Sequence, residues 1–310
     1  MTAPKILWKA TAAVFSLVSL FAQPPRTGFD SSSGKLSDVS QIAPHGTIIV
    51  SVACAEGLIL AGDSRLSWTT PEISPGYKVL SDYNSKLFET ENMGIATYGL
   101  AFIAGRSISG WVSDFRAQLP KLKADETRDV DQLADELSEY IGKAYFAAQE
   151  KNKTKPRLGF VVAGYDSKHR MGKLLQIEFP EAAKPVLLFD TQSTGAAWMG
   201  ETSAISRIVK GYDSSLKSSK PFTALSKDQQ TALTEELEKK ELNIPFDAMM
   251  MQDGVDLATS LVRITVEMQR FAYGTKGSPG EIPGVGGSVD VLIVLPTGLQ
   301  WLKKKALTVQ

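Results

Sequence analysis

The amino-acid sequence predicts an α+β chain, a four-layer αββα sandwich of two packed, mostly antiparallel sheets with helix pairs on both outer faces. Three observations predict it. Short apolar runs separated by hairpin-turn residues begin at Thr47. Two stretches with apolar residues at helical spacing follow them. The same order then comes a second time, strands before helices, ahead of a closing strand pair. Helices in pairs between hairpin-linked strands bury their apolar stripes when two packed sheets offer both outer faces.

Composition excludes several function classes. A chain of 310 residues can hold one large domain or two small ones. Hydrophobic residues at 43% and charged residues at 22% are globular values, which excludes wholesale disorder. Lys plus Arg and Asp plus Glu are both 34, and no basic cluster is interleaved with aromatics, so no nucleic-acid partner is expected. The single cysteine, Cys54, forms no internal disulfide and no thiolate zinc cluster. It falls inside an apolar run, where a small buried side chain is the ordinary reading. Of the two histidines, His169 lies in the polar tip Asp166-Ser167-Lys168-His169-Arg170 and His45 precedes Gly46. Neither a Ser-His-Asp triad nor a metal site is expected, and no cofactor.

Residues 1–22 read as a secretory signal. Lys5 and Lys9 precede the uncharged run Ala10 to Ala22, which stops at Gln23-Pro24-Pro25. That run is shorter than the about 20 apolar residues of a membrane span. Ala22 suits the last position before cleavage, whereas Leu20 stands where a small residue is preferred. A cleaved signal implies export to the periplasm or medium. An uncleaved membrane anchor and a non-targeting, cytoplasmic leader are the alternatives, and no other membrane contact is expected. Residues 23–46, rich in Ser, Pro, Gly and Asp, read as a linker or propeptide.

The domain expected over 47–310 takes its elements in order. Thr47 to Ala55 and Leu58 to Gly62 are strands about an Glu56-Gly57 turn. A polar, proline-containing excursion covers Trp68 to Asn84. A second hairpin joins Ser85–Glu89 to Met93–Tyr98. Phe102, Ile103, Ile108, Trp111, Val112 and Phe115 place a helix over Ala101 to Leu119. Val130, Leu133, Leu137, Ile141 and Tyr145 place another over Asp129 to Lys151. Strands return at Gly159–Gly164, Lys173–Phe179, Val186–Phe189 and Ala196–Met199, followed by a helix over Ser203–Val209. Residues 213–247 read as a solvated insertion with a helix at Lys227–Lys240. A long helix covers Val255–Phe271, a Gly-Pro-rich loop follows, and strands Ser288–Leu295 and Leu299–Leu302 end the fold.

The candidate chemistry sits at Gly46-Thr47. A cut between them would give Thr47 a hydroxyl nucleophile and its own free α-amine as base, one of the ways a weak hydroxyl is activated. Downstream stand Gly57-Leu58-Ile59-Leu60-Ala61-Gly62-Asp63-Ser64-Arg65, then Ser85-Lys86-Leu87-Phe88, then Tyr98-Gly99. With His45-Gly46-Thr47-Ile48 ahead of them, this run from Thr47 to about Phe115 resembles the β-type subunits of the proteasome and its bacterial relatives, the N-terminal-nucleophile hydrolases. The remainder is similar mainly in element order.

The resemblance implies a threonine peptidase activated by autocatalytic cleavage after Gly46. Thr47 is then the nucleophile, and Lys86, paired with Asp63, lowers the pKa of the amine. The Gly99 N–H donates to the oxyanion, and Arg65 positions the turn by pairing with an acid. Export would make the substrates peptides or unfolded proteins, and the resemblance implies a homo-oligomer, with a ring among its forms. Two positions depart from the family pattern. An Asp-x-x-Ser-Gly-Gly motif is replaced by Glu281-Ile282-Pro283-Gly284-Val285-Gly286-Gly287, which leaves Glu281 one place off as a supporting acid. A Gly-Ser-Gly is replaced by Gly200-Glu201-Thr202, where Glu201 either supplies negative charge or caps a helix. The alternatives are a catalytically silent structural subunit and a small-molecule amidase on the same scaffold.

Overall fold

A computed structural model describes residues 43–69, 78–120, 128–150, 155–168, 170–272, 274–275, 278–279 and 284–304. The expected leader over 1–22 and the linker up to residue 42 lie outside these residues, as do His169, Glu281 and Ile282. No helix among the described residues is long and apolar enough to cross a membrane.

The chain is a mixed α/β fold with several antiparallel sheets and six α-helices among the described residues. It begins with β1 (Ala43–His45), β2 (Ile48–Cys54), β3 (Gly57–Gly62), β4 (Leu66–Thr69) and β5 (Lys78–Ser81). Next come β6 (Leu87–Thr90), β7 (Met93–Gly99), β8 (Phe102–Ile103), β9 (Arg106–Ser107), α1 (Ile108–Gln118) and α2 (Val130–Gln149). The second half holds β10 (Leu158–Tyr165), β11 (Gly172–Phe179), β12 (Ala182–Asp190), β13 (Gly195–Gly200) and α3 (Ser203–Val209). The insertion follows with α4 (Lys220–Thr223) and α5 (Lys227–Glu238), then α6 (Met251–Phe271). Last are β14 (Gly274–Thr275), β15 (Ser278–Pro279), β16 (Asp290–Leu295) and β17 (Gly298–Lys303).

One five-stranded sheet has the order β13-β2-β3-β16-β17, and a second has β12-β11-β10-β7-β6. Every residue of β2 and β3 is buried, which explains why these strands are apolar throughout instead of alternating. Their side chains divide by parity. Ile48, Val50, Val52, Ile59 and Ala61 join a cluster with Ile205 of α3 and Ala258, Leu261 and Val262 of α6. Ile49, Ala53, Leu58 and Leu60 point the other way and meet Ala96, Val161 and Ala163 of the second sheet. The outward residues of that sheet, Met93, Ile95, Phe160 and Val162, pack on α1 and α2.

The helices form where sequence spacing and caps agree. In α2, Val130, Leu133, Leu137, Ile141 and Tyr145 are fully buried along one stripe, and Asp129 caps the first turn by accepting the Asp131 N–H. Gly254 lets α6 approach the sheet, since a Cβ there would lie 2.7 Å from Ile59 Cδ1. By contrast α5 buries nothing and is held by a Ser226–Gln229 capping box, the exposed helix of the insertion.

Three expectations need correction. The helix expected from Ala101 begins only at Ile108, because 102–107 form a tight hairpin whose turn residues Ala104 and Gly105 have φ of 49° and 78°. The excursion over 68–84 carries β4 and β5, and the linker expected to remain unpacked ends in β1. These pair as β1-β4-β5, with His45 opposite Ser67. Three residues with a central proline give too short a pattern for strand periodicity to register.

Candidate active site

The hairpin β2–β3 brings its far end back beside its start, so Asp63 lies next to Ile48 and buries its carboxylate, 1% exposed. Four donors converge on it. Oδ1 accepts the Ile48 N–H at 3.0 Å and Lys86 Nζ at 2.6 Å. Oδ2 accepts the N–H groups of Arg65 and Gly286, each at 3.1 Å. A buried carboxylate without such donors would be costly; with four it is a fixed anchor.

Lys86, 4% exposed, enters from the loop before β6. Besides Asp63, its ammonium donates to the carbonyl oxygen of Gly46 at 3.2 Å. Burial pulls Lys86 below the ordinary lysine range; the charge and hydrogen bond of Asp63 oppose this, and the charge of Arg65 adds to it. Arg65 itself forms a two-pronged pair with Asp82, at 2.8 and 3.2 Å, and lies against Gly286, where a Cβ would meet its guanidinium carbon at 2.4 Å.

Thr47 occupies the two-residue link between β1 and β2, half-buried. Its carbonyl accepts the Glu201 N–H at 2.7 Å. Gly200, with φ of +92°, presses so closely that a Cβ would fall 1.8 Å from the Thr47 oxygen. Gly46 has φ of +83°, and a Cβ there would lie 2.0 Å from the Gly284 carbonyl carbon. Glycine is therefore required on the upstream side of the junction. The cleft that opens here is lined by Gly46, Thr47, Lys86, Tyr98, Gly99 and Ser109.

The direction of the Gly99 N–H follows from strand alternation. The Thr97 N–H donates to the Lys86 carbonyl at 2.9 Å, and the Leu100 N–H donates oppositely, to the Arg157 carbonyl at 3.0 Å. Gly99 shares the parity of Thr97, so its N–H faces the β6 side, beyond the point where β6 begins. That side is the Lys86 side of the cleft.

No family model matches the chain, and no curated protein matches it. Solved structures do. The Gly-1 mutant of Anbu from Hyphomicrobium sp. strain MC1 aligns with a TM-score of 0.50 at 15% identity, covering 84% of this chain and 86% of that chain. Anbu from Yersinia bercovieri, described as an ancestral beta-subunit, aligns at 0.48 and 14% identity over 83% and 87% of the two chains. The helical assembly of the Anbu complex from Pseudomonas aeruginosa aligns at 0.48 and 16% identity over 80% and 81%. The Hyphomicrobium structure shows the fold that this chain shares; no conclusion rests on the other two.

The Hyphomicrobium structure corrects the family expected from the sequence. The chain is similar in fold to Anbu, a proteasome-like but distinct family, and the resemblance to proteasome β-type subunits and N-terminal-nucleophile hydrolases does not establish membership there. The physical reason lies in what the motifs encode. The glycine–threonine link, the hairpin aspartate and the buried lysine specify one local geometry, and any fold that builds this geometry needs them.

The site thus brings together Gly46, Thr47, Asp63, Arg65, Lys86 and Gly99, and places the Glu201 backbone against Thr47. Glu281 lies outside the described residues. Val285 is buried in the apolar cluster beneath α6 and supplies no polar side chain. The loop instead contributes backbone: Gly286 N–H to Asp63, Gly286 carbonyl to the Ser64 N–H, and Val285 N–H to Gln269 Oε1. Sequence reasoning missed Asp82, Gln269 and a hydrogen-bonded group formed by buried Tyr98 and Glu178 with half-buried Gln176. The last was detectable, because Gln176 and Glu178 share the inward parity of Leu174 on β11.

Proposed function

We propose that this chain is a threonine hydrolase that first cuts its own Gly46–Thr47 bond and then hydrolyses peptide bonds. The observation that carries the proposal is the bridge made by Lys86, whose ammonium holds the Gly46 carbonyl on one side and Asp63 on the other. An ammonium on that oxygen withdraws electrons from the carbonyl carbon that Thr47 must attack.

In the first step the Thr47 hydroxyl adds to the Gly46 carbonyl carbon. The C–N bond breaks, the amide nitrogen takes the hydroxyl proton, and Gly46 is left as an ester on Thr47 Oγ. Water then adds to the ester; its oxygen becomes part of the Gly46 carboxylate and a proton returns to Oγ. Thr47 now carries a free amine, which serves as base when the same hydroxyl attacks a substrate carbonyl. Lys86 lowers the affinity of that amine for a proton. Gly99 N–H is the oxyanion donor, and Arg65, through Asp82 and Gly286, steadies the loop that holds Asp63.

The reading includes export by residues 1–22, removal of 23–46, a homo-oligomeric state and a four-layer order. The three apolar clusters support the layering. Exposed Val186 and Leu187 on the edge strand β12 support contact between copies. Peptide substrates are favoured over small amides because the chain's own segment ahead of Thr47 reaches the site as an extended strand, β1, paired with β4.

Thr47→Ala and Lys86→Met test the proposal together. Loss of both self-cleavage and fluorogenic-peptide hydrolysis in each variant, by at least about 100-fold, is the expected result. Peptide hydrolysis unchanged in Thr47→Ala overturns it.

A further inference from the structure

Beside the cleft lies a closed ring of interactions that the chemistry above does not use. Tyr98, 3% exposed, donates its hydroxyl to Glu178 Oε2 at 2.6 Å and accepts from Gln176 Nε2 at 2.6 Å. Glu178 Oε1 accepts from the Arg157 guanidinium at 2.7 Å. The backbone of Arg157 completes the circuit. Its carbonyl accepts the Leu100 N–H at 3.0 Å, and it packs so tightly on Gly99 (φ +88°) that a Cβ there would meet the Arg157 oxygen at 2.2 Å.

The ring leaves Tyr98 little freedom. Its aromatic face lies over Gly159, where a Cβ would be 2.0 Å from Cζ. Burial, then the Glu178 carboxylate, pushes the phenol well above its ordinary value, so it remains a donor at any working pH. The Gly99 N–H belongs to the peptide unit that follows Tyr98. Whatever fixes the Tyr98 side chain on one side and the Arg157 carbonyl on the other fixes the plane of that peptide.

We propose that Tyr98, Glu178 and Arg157 are positioning residues that aim the Gly99 N–H at the oxyanion formed on the substrate. The proposal rests on the threonine-hydrolase reading and adds a role for three side chains that take no part in nucleophilic attack or proton transfer. An oxyanion donor acts only where it meets the oxygen of the tetrahedral intermediate, so misaiming it slows the chemical step while leaving ground-state binding in place.

The experiment uses Tyr98→Phe and Glu178→Gln in the full chain, with rates expressed per active site titrated by a covalent inhibitor. The expected result is a kcat lower by about tenfold in Tyr98→Phe with KM unchanged. Affinity for a peptide aldehyde, whose adduct places an oxygen in the oxyanion position, should fall by the same factor. Glu178→Gln keeps an acceptor for the phenol but loses the Arg157 ion pair, and should show the same split in smaller measure. A kcat per titrated site equal to that of the parent chain overturns the proposal, whatever happens to Tm. So does a parallel change in kcat and KM with aldehyde affinity intact. If Thr47→Ala is inactive and Tyr98→Phe is fully active, only the positioning role fails. If Thr47→Ala remains active, the underlying reading fails with it.

Discussion

Gly46 shows how closely the backbone at the junction is prescribed. Its φ of +83° is a conformation that residues with a Cβ rarely adopt, and the added carbon would overlap the Gly284 backbone at 2.0 Å. The turn made there delivers the carbonyl to Lys86. Gly46→Ala should therefore leave Thr47, Lys86 and Asp63 chemically intact yet move the scissile carbonyl off its donor. The expected outcome is a precursor band that persists on a denaturing gel while the parent chain is converted. Full conversion of Gly46→Ala would show that the carbonyl's placement is not limiting. Asp63 and Lys86 could be picked out in the sequence because a hairpin aspartate and a later lysine stand in one order with the glycine–threonine link. Asp82 could not, since the partner of Arg65 lies in a stretch with no strand periodicity to fix its position.

At the level of elements, α2 and the β10–β11 hairpin are joined through one carboxylate. Asp129 caps α2 by accepting the Asp131 N–H at 2.9 Å, and its other oxygen accepts both the N–H and the hydroxyl of Ser167, each at 3.1 Å. Burial opposes the charged form, but the hydrogen bonds from Ser167 and Asp131 outweigh it and hold the carboxyl below its usual 3.8. A depressed carboxyl stabilises the fold above its unfolded value and loses that contribution as the pH falls through the folded one. Asp129→Ala should cost about 1 kcal/mol at pH 7. Denaturant unfolding should show that difference shrinking below pH 3.8, the direction set by the depressed carboxyl. A difference that grows on acidification would contradict this account of the cap.

Elements were legible where burial imposes a simple pattern and obscure where it does not. The stripe of α2 and the double-sided burial of β2 and β3 appear directly in residue spacing. The β8–β9 hairpin was hidden because Phe102, Ile103 and Ile108 also fit a helical stripe, and only the positive φ at Ala104 and Gly105 decides otherwise. β1 was hidden because its pairing with β4 is a tertiary fact, with nothing in Ala43-Pro44-His45 to signal it.

Across the whole molecule, the two large sheets bring four remote segments to one end of the fold: the β1–β2 link, the β3 turn, the loop before β6 and the end of β7. The shared fold with the Hyphomicrobium structure extends over most of both chains, yet at 15% identity it leaves the chemistry to be argued from these segments alone. What they have in common is the Gly46–Thr47 bond, whose carbonyl is held and polarised while its threonine waits beside it. The direct test is the intact mass of the protein purified after full-length expression, with N-terminal sequencing of the product. A chain beginning at Thr47 is the predicted result. A protein that hydrolyses peptides while its chain still carries Gly46 ahead of Thr47 would contradict the account at its centre.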